Sequence, residues 1–233
     1  MMNKKNKVLV VAAHPDDEVL GCGGTMAKHV LDGDEVHVLL MAEGLKSRDS
    51  FKENDSSDVA LKILHQKSKL ASSEIGVKDI KLLNFPDNRM DKLQLLDIVK
   101  AIEKEIEVYQ PNIIYTHHHG DVNIDHQLTH EAVITACRLM PGQCVKKLLF
   151  FEVLSSTEWQ ISTCKNVFLP NWYVDIKLTF NKKIAALKYY ESEMRNYPHS
   201  RSYKAVEILS RYRGISVGKE LVEAFMLGRN IID

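Results

Sequence analysis

Residues 8–24 read VLVVAAHPDDEVLGCGG: six apolar residues, then a dense polar turn, then a run rich in glycine. The first six are apolar at every position, not at alternate ones, which is the pattern of a strand buried on both faces of a parallel sheet. Residues 36–41, 80–85 and 113–116 repeat it apart from His37, Lys81, Asn84 and Thr116. Helix-length segments lie between them. Leu95, Val99, Ile102, Ile106 and Tyr109 recur at helical steps before Pro111 stops the helix, and residues 60–75 read the same way up to Gly76. Strand alternating with helix predicts an α/β fold of Rossmann-like kind: an open, mostly parallel sheet with helices on both faces. Residues 148–153 make a fifth strand and 172–176 an edge strand or hairpin arm, with helical signals at 182–194 and 205–213. The C-terminal third reads as an irregular decoration on the sheet, and residues 1–233 as a single domain.

Composition narrows the function. Hydrophobic residues are 45% and charged residues 27% of the 233, as in an ordinary globular protein. Lys plus Arg (31) equals Asp plus Glu (31), so no bulk cationic field favours nucleic acid. Cys22, Cys137, Cys144 and Cys164 show no CxxC spacing and read as reduced thiols. No stretch reaches the roughly 18 apolar residues of a membrane helix, and the N-terminal apolar run is too short for a signal sequence; a cytoplasmic location is expected.

In open α/β sheets ligands bind beyond the carboxyl ends of the strands, where His14-Pro15-Asp16-Asp17-Glu18 falls. An imidazole and a carboxylate three residues apart on a tight turn suit zinc. Asp16 between them is then free to accept a proton from activated water. Helix-dipole complementation is the competing use of these acids. Gly21, Gly23 and Gly24 do not make a GxGxxG fingerprint, because Met26 holds the third glycine position; they are expected to let a helix pack closely on the sheet. A second cluster, His117-His118-His119-Gly120-Asp121-Val122-Asn123-Ile124-Asp125-His126, follows the fourth strand and leads to His130. One histidine from it would complete a three-ligand site with a position open for water.

The AHPDDE turn together with the later Asn-Ile-Asp-His resembles the LmbE-like, PIG-L-like family of zinc-dependent N-acetylglucosaminyl deacetylases. Ser47-Arg48, Pro86-Asp87-Asn88 and Tyr197-Pro198-His199 also resemble family features. The resemblance implies that His14, Asp17 and His126 bind one Zn2+ and that Asp16 is the general base. It departs at Asn123, where many members carry a histidine, and an amide does not donate a proton usefully at neutral pH. One of His117, His118 and His119 is expected to take that role as acid or oxyanion donor, with proton return by Asp16 or His130 as the alternative. Asp125 is expected to hold the second nitrogen of His126 or of such a histidine. Arg48, Asp87 and Asn88 are candidate substrate contacts, Arg48 suiting an anionic group. The expected reaction is removal of the acetyl group from an N-acetylglucosamine-like sugar or conjugate. A sugar-binding module without turnover and another mononuclear metal-assisted hydrolase are the alternatives.

Overall fold

A computed structural model describes residues 5–44 and 57–232. Strand β1 (Lys7–Ala12) leads into α1 (Asp17–Leu31), followed by β2 (Glu35–Ala42), α2 (Ser57–Ile75), β3 (Asp79–Phe85), α3 (Leu95–Tyr109), β4 (Ile113–His117), α4 (Ile124–Ala136) and β5 (Lys147–Phe151). The chain closes with β6 (Trp172–Asp175), α5 (Phe180–Leu187), α6 (Tyr203–Ile215) and β7 (Val222–Asn230). These strands form one sheet in the order β3-β2-β1-β4-β5-β7-β6. The first five run parallel; β7 pairs antiparallel with both β5 and β6.

The unbroken apolar runs have a direct cause. Val8, Val10 and Ala12 face one core with α1, while Leu9 and Val11 face the other with Ile98 and Ile102 of α3. Successive side chains of a strand point to opposite faces, so a strand covered on both sides needs apolar residues throughout. Each valine, leucine or isoleucine among them contributes about 1.5–3 kcal/mol when fully buried. Val99, Ile102 and Ile106 of the α3 stripe are buried and Leu95 and Tyr109 half-buried, and Gln110 (φ 50°) ends that helix one residue before Pro111.

The glycines act as expected. A Cβ on Gly21 would stand 2.4 Å from the Phe151 ring, and one on Gly24 2.9 Å from Ile176. The C-terminal third is more than decoration: β7 inserts between β5 and β6, and β6 is the expected edge. All four cysteines are free, and no helix among the described residues is long and apolar enough to cross a membrane.

Candidate metal and catalytic site

The sequence order of the strands reverses between β1 and β4, which opens a crevice beyond their carboxyl ends. The turn after β1 supplies His14, Asp16 and Asp17; the segment after β3 supplies Asp87 and Asn88; the loop after β4 and the start of α4 supply Asp121, Asn123, Asp125 and His126.

Asp17 Oδ2 is the centre. It accepts the His14 backbone N–H at 2.9 Å and lies 3.1 Å from both His14 Nδ1 and His126 Nε2. Four donors arranged tetrahedrally at about 2.0 Å around one ion would be spaced by about 3.3 Å, close to these separations. The far nitrogen of each imidazole meets a carboxylate. Asp121 Oδ2 is 3.1 Å from His126 Nδ1, while Asp125 Oδ2 at 3.1 Å and Asp87 Oδ1 at 3.3 Å face His14 Nε2. A carboxylate behind the imidazole fixes the tautomer and raises ligand basicity. Two other donor groupings, His117/Asp121/His126 and His14/Asp87/Asp125, share these histidines; in the central grouping their acids become the backing groups.

Charge supports a cation here. Asp16, Asp17, Glu18, Asp87, Asp121 and Asp125 are all buried, and buried carboxylates are costly without compensation. Burial would lower the His14 imidazole, but hydrogen bonds to Asp125 and Asp17 and the charges of Asp17 and Asp87 raise it to about 10. His126, also lowered by burial, is raised to about 9 by Asp17 and Asp121. Burial pushes Asp17 up, yet His126 and His14 outweigh it and hold this carboxyl well below its usual range. Asp17 Oδ1 is buried with no hydrogen-bond partner among the described residues. Two imidazoles, a carboxylate with a free buried oxygen and a surrounding excess of acid fit a divalent cation.

Asp16 is held differently. It starts α1 with φ 105°, a strained backbone for a residue other than glycine. Its backbone N–H donates to Glu18 Oε2 at 3.0 Å, and Glu18 Oε1 accepts the Tyr190 hydroxyl at 2.8 Å. Its Oδ2 accepts from Arg201 Nη1 at 2.7 Å. Burial pushes the Asp16 carboxyl well above the usual range, with the Arg201 charge opposing. Asp16, Asp17, Asp87, Asn88, Asn123 and Arg201 are among the residues lining a crevice of about 270 Å³. That is just under the range of about 300–1,000 Å³ for small-molecule pockets, so it admits a small polar ligand or one end of a larger one.

Several expectations are corrected. None of the triplet His117, His118 and His119 lines the crevice. His117 Nε2 accepts the Ala13 backbone N–H at 2.8 Å, and burial keeps this ring neutral, well below its ordinary pKa. His118 and His119 turn away from the crevice to the carbonyls of Asn166 (2.9 Å) and Lys165 (2.7 Å), His118 remaining buried. Asp125 backs His14 instead of His126 or a triplet histidine, because its oxygens also accept the backbone N–H groups of Asn88 (2.7 Å) and Met90 (3.0 Å). His130 faces the His117 carbonyl at 2.9 Å. Asn123 is the N-cap of α4: its Oδ1 accepts from the Asp125 N–H at 2.8 Å and its Nδ2 donates to Asn88. Arg48 lies outside the described residues.

Sequence reasoning left two residues without a role. Asp121 stood inside the quoted cluster and also accepts from Ser156 and Thr157. Arg201 follows Tyr197-Pro198-His199 by two residues, but its partner is 185 positions away and no local pattern marks it.

A relative in Escherichia coli (strain K12), named uncharacterized deacetylase YaiS, is 30% identical over 196 residues, spanning 82% of this chain and 93% of its own. A 4-oxalmesaconate hydratase of Pseudomonas putida is 25% identical over 202 residues, 81% of this chain and 74% of its own. The solved N,N'-diacetylchitobiose deacetylase from Pyrococcus horikoshii superposes with a TM-score of 0.77 at 20% identity, over 96% of this chain and 84% of that one, a likeness of fold. Residues 9–137, which carry every grouped donor above, match the family described as PIG-L: GlcNAc-PI de-N-acetylase, and the chain belongs to that family.

Proposed function

We propose that this protein is a zinc-dependent deacetylase that hydrolyses the acetamido group of an N-acetylglucosamine-like sugar or sugar conjugate. The observation that carries the reading is the pair Asp16-Asp17: Asp17 sits between two carboxylate-backed imidazoles, and Asp16 faces the same crevice outside that donor set. Membership of a de-N-acetylase family supports the substrate class. His14, Asp17 and His126 would hold the cation, which when bound lowers the pKa of water and polarises an acyl oxygen.

The chain's own residues then account for the proton. Asp16 accepts it as the water oxygen bonds to the acyl carbon, and returns it to the nitrogen as the C–N bond breaks, leaving acetate and a free amine. A carboxylate raised by burial suits both halves of this transfer. Asn123 is occupied with helix capping, His117 Nε2 with the Ala13 backbone N–H, and His118 and His119 with the Asn166 and Lys165 carbonyls, and none of the triplet lines the crevice, so Asp16 carries the return step. Asp87 and Asn88, at the crevice wall, are placed to meet sugar hydroxyls.

The test is acetate release by zinc-loaded protein from N-acetylglucosamine, N,N'-diacetylchitobiose and simple N-acetylglucosaminides. Acetate and free amine should appear in equal amounts. No acetate from any of these by fully metallated protein would overturn the reading, and would turn attention to water addition, the reaction named for the hydratase relative.

A further inference from the structure

The Asp16 carboxylate is fixed by residues far along the chain. Arg201 lies just before α6 and reaches back 185 positions to Asp16 Oδ2 at 2.7 Å. Its Nε donates to Ser155 Oγ at 2.9 Å, so the guanidinium bridges two walls of the crevice. The Arg201 backbone is pinned on both sides: its N–H donates to His199 Nδ1 at 3.0 Å and its carbonyl accepts from Arg195 N–H at 2.8 Å. The arginine side chain is 21% exposed and the aspartate 2%. The contact engages Oδ2 and leaves the second carboxylate oxygen outside the ion pair.

We propose that Arg201 is a positioning residue for the hydrolytic step, its guanidinium holding the Asp16 carboxylate in the orientation that serves the crevice. This rests on Asp16 being the base. The planar fork of arginine reaches Asp16 and Ser155 together from two different nitrogens, which a lysine ammonium, as a point charge, does not reproduce. The strained turn at Asp16 aims the side chain, and the guanidinium then stops it from rotating. Misplacement of a reacting group by about 1 Å can cost 10²-fold in rate.

The experiment compares Arg201→Ala, Arg201→Lys, Asp16→Asn and the Arg201→Ala/Asp16→Asn double variant. Each is zinc-loaded, checked for metal content and assayed for acetate release from N,N'-diacetylchitobiose. Arg201→Ala should bind zinc normally, lose about 10²-fold in kcat with KM within about threefold, and recover part of the loss when guanidinium ion is added. Arg201→Lys should recover less than half of the loss on a logarithmic scale. In the Asp16→Asn background, Arg201→Ala should cost nothing further, because a residue acting through Asp16 has nothing left to position. An unchanged penalty in that background, or a loss confined to KM, overturns the proposal and makes Arg201 a substrate contact. A fully active Asp16→Asn enzyme instead removes the base reading, a separate failure. A crystal structure of Arg201→Ala gives a readout without turnover: the Asp16 side chain should lose its single orientation, and an unmoved carboxylate would count against the role.

Discussion

Asp16 and Asp17 are adjacent, identical and equally buried, yet the fold drives them in opposite directions. Asp17 lies between two imidazoles and stays ionised; Asp16 has one arginine against its burial and is pushed up. One suits a ligand and the other a proton carrier. Asp16→Asn is therefore expected to keep fold and zinc while kcat falls by about 10²–10⁴-fold, measured as acetate release at saturating substrate. Near-normal turnover with full zinc would reassign the base. The histidine triplet gives the contrasting case. His118→Ala and His119→Ala should leave kcat within about threefold of the parent, because their rings bond carbonyls of the 161–168 loop, away from the donors. A large loss in either, with zinc intact, would mean that the loop rearranges when substrate binds.

Among the elements, α1 shows a device that no periodicity reveals. The helix breaks at Cys22 (φ −146°), which frees the N–H groups of Gly24 and Thr25; the buried Glu223 carboxylate of β7 accepts both, at 3.0 and 2.6 Å. Lys183 of α5 completes the cluster, donating to Glu223 at 2.6 Å and to the Leu20 carbonyl at 2.8 Å. Removing one partner of a buried pair typically costs about 3–5 kcal/mol, so Glu223→Ala should destabilise by about that much in urea titration. Adding Lys183→Met should return part of the loss, since the stranded charge goes with it. Equal stability of Glu223→Ala and the parent would show that water substitutes for the carboxylate. The same pairing explains why β7 was not legible. Its residues VEAFMLGRN combine a buried glutamate with a glycine that admits the Phe150 ring, and neither pattern reads as a strand interior in isolation. By contrast β1 announces itself, because a strand covered on both faces is apolar at nearly every position, and β2 to β5 keep enough of that run to be read despite His37, Lys81, Asn84 and Thr116.

For the whole molecule, the acid excess beneath the crevice links metal to stability. Zinc at about 100 times its Kd stabilises by about 2.7 kcal/mol, which for a chain of this size is a rise in Tm of about 5–10 °C by calorimetry. His126→Ala should abolish that rise, and a rise that survives would place the ion elsewhere. A second global readout is pH. His130 sits against Phe150 and its pKa is driven down to about 4 by burial. Between about 6.5 and 4 the unfolded chain takes up this proton and the folded one does not, so its stabilising contribution is complete above about 6.5 and is lost as pH falls toward 4. His130→Gln should flatten that part of the urea-midpoint profile relative to the parent; identical slopes would mean that the ring is freely solvated. By itself the sequence determined the alternation of strand and helix, the sheet class and the polar turn at the end of the first strand, because periodicity and strand-end position are local properties of the chain. It also brought His14, Asp17 and His126 under one heading, through motifs that stand on short contiguous segments. Only the tertiary structure decided that Asp121 backs His126, that Asp125 backs His14, that His118 and His119 turn away from the crevice and that Arg201 holds Asp16. Those pairings depend on which side of a turn each short side chain leaves, and on contacts across as many as 185 residues, where neither spacing nor composition carries information.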